Sequence, residues 1–175
     1  MQAIGREAKS VRETVGMVDV SPLGKIDIQG RNAAEFLNRV YINDFKKLPI
    51  GRVRYGVMLR EDGIVLDDGT TTHIAENHFM MTTTTANAGP VMQHLEYYAH
   101  VVWPELDVHL VSVTEEWAGM ALAGPASRKL LEAVTDDIDV SNEACPFMAF
   151  RTGTIAGAPA RLFRISFSGE LAYEI

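Results

Sequence analysis

Cysteine is almost missing from this 175-residue chain, which holds Cys145 and no other. One thiol cannot close an internal disulfide or build a thiolate metal cluster, which fits a reducing compartment and makes the cytoplasm the expected location. Long apolar runs are missing as well. No stretch reaches the roughly 18 to 20 apolar residues of a membrane span. The opening residues MQAIGREAKS alternate polar with apolar and build no signal core, so neither a membrane nor an export role is expected. Charge of one sign never accumulates. The 16 basic residues are outnumbered by 23 acidic ones, giving a net charge of −7 and no basic field for a nucleic acid. The five histidines lack partners at metal-ligand spacing, so no metal is expected. Neither G-x-G-x-x-G nor a phosphate loop is present, which excludes nucleotide binding by those devices.

What is present suits a folded domain. Apolar side chains make up 47% of the chain and charged ones 22%, enough for one core-bearing unit of ordinary size. Ile4, Ala8, Val11 and Val15 recur at helical spacing from Gln2 to Val15, with Gly16 as the stop. Lys25 to Gln29 alternates like a strand, and Asn32 with Glu35 has the form of a capping box ahead of the stripe Ala33, Phe36, Leu37 and Val40. Arg52 to Arg60 reads as a half-buried strand with Val53, Tyr55, Val57 and Leu59 on one face and the arginines on the other. The turn at Glu61, Asp62 and Gly63 returns it into a second strand, Ile64 to Ala75, and Phe79 to Thr85 completes an antiparallel meander. Pro90 suits the first position of a helix that runs to about Val102. Leu106 to Ser112 is a further strand, Ala126 to Val134 a short helix, and Phe150 to Ile155 and Ala160 to Phe167 two more strands. Helices and antiparallel strands mix without a βαβ rhythm, which is the α+β class. The last residues, Leu171 to Ile175, form an apolar alternating run with no polar tail, and the expectation is a piece of a longer polypeptide.

Chemistry concentrates in few places. Asp67 and Asp68 end an apolar strand run, and adjacent strand residues face opposite ways, so the two acids cannot form a facing dyad. Either the pair is a solvated strand end, or one carboxylate is desolvated beside a cation. The hydroxyl run Thr82 to Thr85 reads first as a β-rich strand, and Cys145 as a buried small residue.

Four motifs then fall in order: VRETVGMVDVS at 11–21, YGVM at 55–58, DGIVLDD at 62–68, and SGE through YEI at 168–175. Together they resemble the folate-binding aminomethyltransferase family, which includes the T-protein of the glycine cleavage system, over nearly the whole chain. The run MMTTTTAN at 80–87 is more similar to the C-terminal region of the α subunits of heterotetrameric sarcosine oxidases, with dimethylglycine dehydrogenases more distant. The resemblance implies the family's α+β fold with antiparallel sheets and packed helices, cut short after Ile175, with 1–175 as one folate-binding domain. It also implies a tetrahydrofolate site that captures a one-carbon unit from sarcosine as 5,10-methylenetetrahydrofolate. FAD and NAD would sit elsewhere in the parent complex. The implied partners are folate and the other oxidase subunits, and the piece alone would not act as an oxidase. Asp68 matches the family's catalytic carboxylate and Glu174 its pterin-binding glutamate, while Tyr55, Thr84 and Phe167 match positions lining the folate pocket. Pro22 and Leu23 replace the family's usual His and Met, Phe167 stands where a tyrosine is usual, and Thr84 where the T-protein carries asparagine. A glycine-cleavage T-protein and a non-catalytic assembly module are the competing readings.

Overall fold

The computed structural model describes residues 2–175, which fold into two compact units rather than around the single core expected from length. One unit comprises Ser21–Trp117, and the other combines the chain up to Val20 with Ala118–Ile175. Among the described residues, no helix is long and apolar enough to cross a membrane.

In the 21–117 unit, a five-stranded antiparallel sheet runs in the order β3-β4-β5-β2-β6. Its strands are β2 (Gly24–Gln29), β3 (Val53–Leu59), β4 (Val65–Ala75), β5 (His78–Thr83) and β6 (His109–Ser112). The expected meander is β3, β4 and β5. Helices α2 (Ala33–Val40) and α3 (Ala88–Tyr97) accompany this sheet, and Phe36, Leu37, Val91 and Leu95 share a fully buried core with Ile26, Ile28, Met58 and Met81. Pro90 is the third helical residue of α3 rather than the first, and a π-turn, Tyr98–Val102, prolongs that helix. The Asn32 side chain does not cap α2. Its Oδ1 instead accepts the amide of Asp107 at 3.0 Å and ties the helix start to the approach to β6.

Beyond Val53, which is buried, the faces of β3 reverse the sequence expectation. Val53, Tyr55, Val57 and Leu59 do share a face, yet Met58 on the arginine face is fully buried and Tyr55 is 51% exposed. Gly56 explains it: a Cβ there would press on Tyr41 and Phe45, so their rings pack directly against the strand backbone.

In the other unit, β1 (Gly16–Asp19), β7 (Met120–Ala123), β10 (Ala172–Glu174), β9 (Ala158–Phe163) and β8 (Phe150–Ile155) form a second antiparallel sheet in that order. Leu122, Leu162 and Tyr173 line its core face together with Leu131 of α4 (Ser127–Glu132) and the buried Cys145. Helix α1 (Gln2–Glu13) ends before Gly16, which opens β1 instead of stopping the helix, and Ile4 and Ala8 of its stripe are exposed, Ile4 at 70%. The turn between β8 and β9 holds Ala156 and Gly157, both with positive φ, so β9 begins at Ala158 and ends before Phe167.

Candidate functional site

The register of β3 on β4 settles the two aspartates. Met58 pairs with Asp67 and Val57 with Asp68, and directly paired residues share a face. Asp67 therefore joins Met58 on the core face and is 5% exposed, while Asp68 shares the opposite face with Tyr55. Neither sequence reading of the pair holds in full: Asp67 is desolvated, but its partners are neutral. Its Oδ1 accepts the Thr84 hydroxyl at 2.7 Å and the Asn87 amide at 3.1 Å, and its Oδ2 accepts the Thr84 backbone N–H at 3.2 Å. Three donors on one buried carboxylate offset its desolvation without a counter-charge.

Local sequence builds this arrangement. Gly69 lacks a side chain where any Cβ would collide with the carbonyl of Thr82, so β4 and β5 approach closely at that point. The Thr82 hydroxyl meets the backbone N–H of Thr70 at 3.0 Å and its hydroxyl at 2.9 Å. The hydroxyl run thus divides: Thr82 and Thr83 end β5, while Thr84 leaves the strand, precedes a 3-10 turn at Thr85–Asn87, and binds Asp67. The Asn87 amide also donates to the carbonyl of Leu66 at 3.1 Å.

On the other face the Tyr55 hydroxyl donates to Asp68 Oδ2 at 2.7 Å. That bond to a carboxylate holds the phenol above its usual range, because ionising it would set two negative oxygens against each other. Asp68 is half-buried, and its Oδ1 accepts no hydrogen bond among the described residues. The pair thus offers a fixed carboxylate and an exposed aromatic ring on one sheet face.

Of the five residues marked by sequence, the structure brings Tyr55 and Asp68 into contact and places Thr84 on Asp67 instead. Phe167 and Glu174 belong to the other unit. Glu174 pairs with Phe163 and Ala121 across β10, half-buried and opposite in face to the buried Tyr173. Phe167 lies in the loop before β10 with its side chain wholly in solvent. Sequence reasoning missed Asp67 and Asn87 as a structural pair. The available signal was the hydroxyl-rich run at 82–85 beside an acid on a strand, since buried carboxylates require such donors. Among the described residues no group of three His, Cys, Asp or Glu is placed to hold a metal.

Among known proteins, the GCVT N-terminal domain family matches across residues 1–175. The chain is 56% identical over 176 residues to sarcosine oxidase subunit alpha of Rhizobium meliloti, covering 99% of this chain and 18% of that protein. It is 33% identical to the aminomethyltransferase of Thermus thermophilus, covering 99% of this chain and 48% of that one. Among solved structures, glycine cleavage system aminomethyltransferase T from Bartonella henselae matches with a TM-score of 0.81 at 27% identity, over 97% of this chain and 43% of that one. A heterotetrameric sarcosine oxidase from Corynebacterium sp. U-96 shares the fold with a TM-score of 0.67 at 14% identity, over 99% of this chain and 81% of that chain. The chain therefore spans about a fifth of the first curated relative and about half of the second.

Proposed function

The chain belongs to the GCVT N-terminal domain family, and on that premise we propose that it is the tetrahydrofolate-binding domain of a sarcosine oxidase α subunit. In this reading it captures the one-carbon unit released by demethylation of sarcosine as 5,10-methylenetetrahydrofolate, within a complex whose other subunits supply the oxidation. The observation that carries the reading is the Tyr55–Asp68 hydrogen bond, a carboxylate oriented on a sheet face in a chain 56% identical to such a subunit.

Each residue's proposed role follows from its own chemistry. The Tyr55 phenol fixes one oxygen of Asp68, and the other is left for a donor on the ligand or for developing positive charge at the transferred carbon. Thr84 spends its hydroxyl proton on Asp67, so toward a ligand it acts as an acceptor. The Phe167 ring is exposed and available for stacking. Glu174 offers a carboxylate suited to the two adjacent N–H donors of a pterin's aminopyrimidinone edge.

The test uses the full-length oxidase. With Asp68→Asn, sarcosine consumption continues while formaldehyde replaces methylenetetrahydrofolate as the product. An unchanged methylenetetrahydrofolate yield would sink the assignment, as would an equal loss with Asp67→Asn at an unchanged thermal midpoint.

A further inference from the structure

An open cavity of about 500 Å³ lies at the tip of the β3–β4 hairpin, within the 21–117 unit. Its lining joins the turn residues Arg60, Glu61 and Asp62 and the apolar Leu66 to three aromatic rings, His94 and Tyr97 of α3 and Tyr98 of the π-turn. None of the residues proposed for folate lines it.

The charges in the cavity do not cancel. Arg60 is committed to Asp62, with guanidinium contacts of 2.9 and 3.4 Å, and Asp62 also accepts the Ile64 amide at 3.0 Å. Glu61 accepts the Tyr98 hydroxyl at 3.1 Å and has no cation partner among the described residues. His94 does not balance it, because burial pulls the imidazole pKa below its usual value and leaves the ring neutral at pH 7, Glu61 opposing that shift only in part. One uncompensated carboxylate remains over an aromatic wall.

That wall has a fixed part and a free part. Tyr98 is held by its hydroxyl bond, by Trp103 at 4.7 Å between ring centroids and by His94 edge-on at 4.7 Å. Tyr97 meets Tyr98 edge-on at 5.6 Å and is 55% exposed. An anion is repelled here, and a metal ion would find too few oxygens. Aromatic rings beside a carboxylate with no cation partner are a combination that holds an alkylated ammonium group, by cation–π attraction together with a charge pair.

We propose that this cavity binds an alkylammonium cation, with Glu61 as its counter-charge and Tyr97 and Tyr98 as the aromatic wall. The head group is shared by two sources, a free N-methylated amine and the lysine side chain of a protein partner.

Saturation-transfer NMR on the full-length parent protein tests it with tetramethylammonium as the probe. A saturable signal is expected, and Glu61→Gln and Tyr97→Ala each weaken it on the order of tenfold while thermal midpoints and methylenetetrahydrofolate yield stay unchanged. Equal saturation by the neutral isostere tert-butanol, or unaltered affinity in both variants, overturns the proposal. Competition then separates the sources: displacement by sarcosine points to the free amine, displacement by Nα-acetyl-lysine methylamide to a protein side chain. Displacement by neither also overturns it.

Discussion

Asp67 and Asp68 are neighbours with identical side chains, and the fold gives them different work. Asp67 is buried under three donors, whereas Asp68 is half-buried and holds one phenol. Removing the Asp67 carboxylate strands donors of Thr84 and Asn87, and an unpaired buried polar group costs about 1 to 3 kcal/mol. Asp67→Ala should therefore lower unfolding stability by at least that amount in a urea titration, while Asp68→Ala shifts it far less. His94 supplies a pH signature. Its folded pKa lies below 6.5, chiefly through burial, so the native state binds fewer protons than the unfolded one near that pH. Its contribution is complete above about pH 6.5 and is lost as pH falls through the depressed folded value. His94→Gln should flatten that part of the pH dependence of the urea midpoint. If the slope between about pH 7 and 5 is unaltered, His94 is not its source.

At the scale of elements, the junction of β4 with β5 is the most constrained feature of the candidate site. Gly69 admits the Thr82 carbonyl where a methyl group would collide with backbone. Gly69→Ala must separate the two strands and pull Thr84 from Asp67, at a cost of about 1 to 3 kcal/mol by the overpacking rule. Gly63, in the hairpin turn, has open space around it and a φ of 81°, so Gly63→Asn, a residue that tolerates that conformation, should leave the thermal midpoint nearly unchanged. Similar losses in both variants would show that close approach at Gly69 does not matter. The start of α2 is likewise decided by a distant segment: the sequence signature of a capping box is present, but Asn32 satisfies Asp107, 75 residues away, instead of its own helix.

At the scale of the molecule, two cores replace one. Phe36 and Leu131 are each fully buried, in the core of the 21–117 unit and in that of the other unit respectively. Truncation of a buried Phe costs about 3 to 5 kcal/mol and of a buried Leu about 2 to 5. Hydrogen exchange should show Phe36→Ala accelerating first the amides of 21–117, and Leu131→Ala those of β7 to β10. If either truncation speeds exchange evenly over the whole chain, the cores do not behave as separate cooperative units. The folate reading is tested at this scale as well. Glu174→Ala in the full-length protein should weaken reduced-folate binding by about 1.5 to 3 kcal/mol in calorimetry, the worth of a charge-assisted contact. Unaltered affinity would remove Glu174 from the pterin role.

The α+β class, the β3–β4–β5 meander, the placement of most strands and the family itself were legible in the sequence, because alternation, turn residues and local motifs are properties of short segments. So was the opposite facing of Asp67 and Asp68, which follows from the two-residue period of a strand. Tertiary structure decided which face is which. Alternation groups Val53, Tyr55, Val57 and Leu59 but carries no sign for the core, and Gly56 with the rings of Tyr41 and Phe45 supplied it. It also decided that Thr84 and Asn87, 17 and 20 residues beyond Asp67, reach that carboxylate and that Tyr55 takes Asp68. The two-unit division, with β1 seated on β7 more than a hundred positions later, escapes any local window for the same reason. Periodicity is written within a segment, whereas partners are chosen by register and packing between segments distant in the chain.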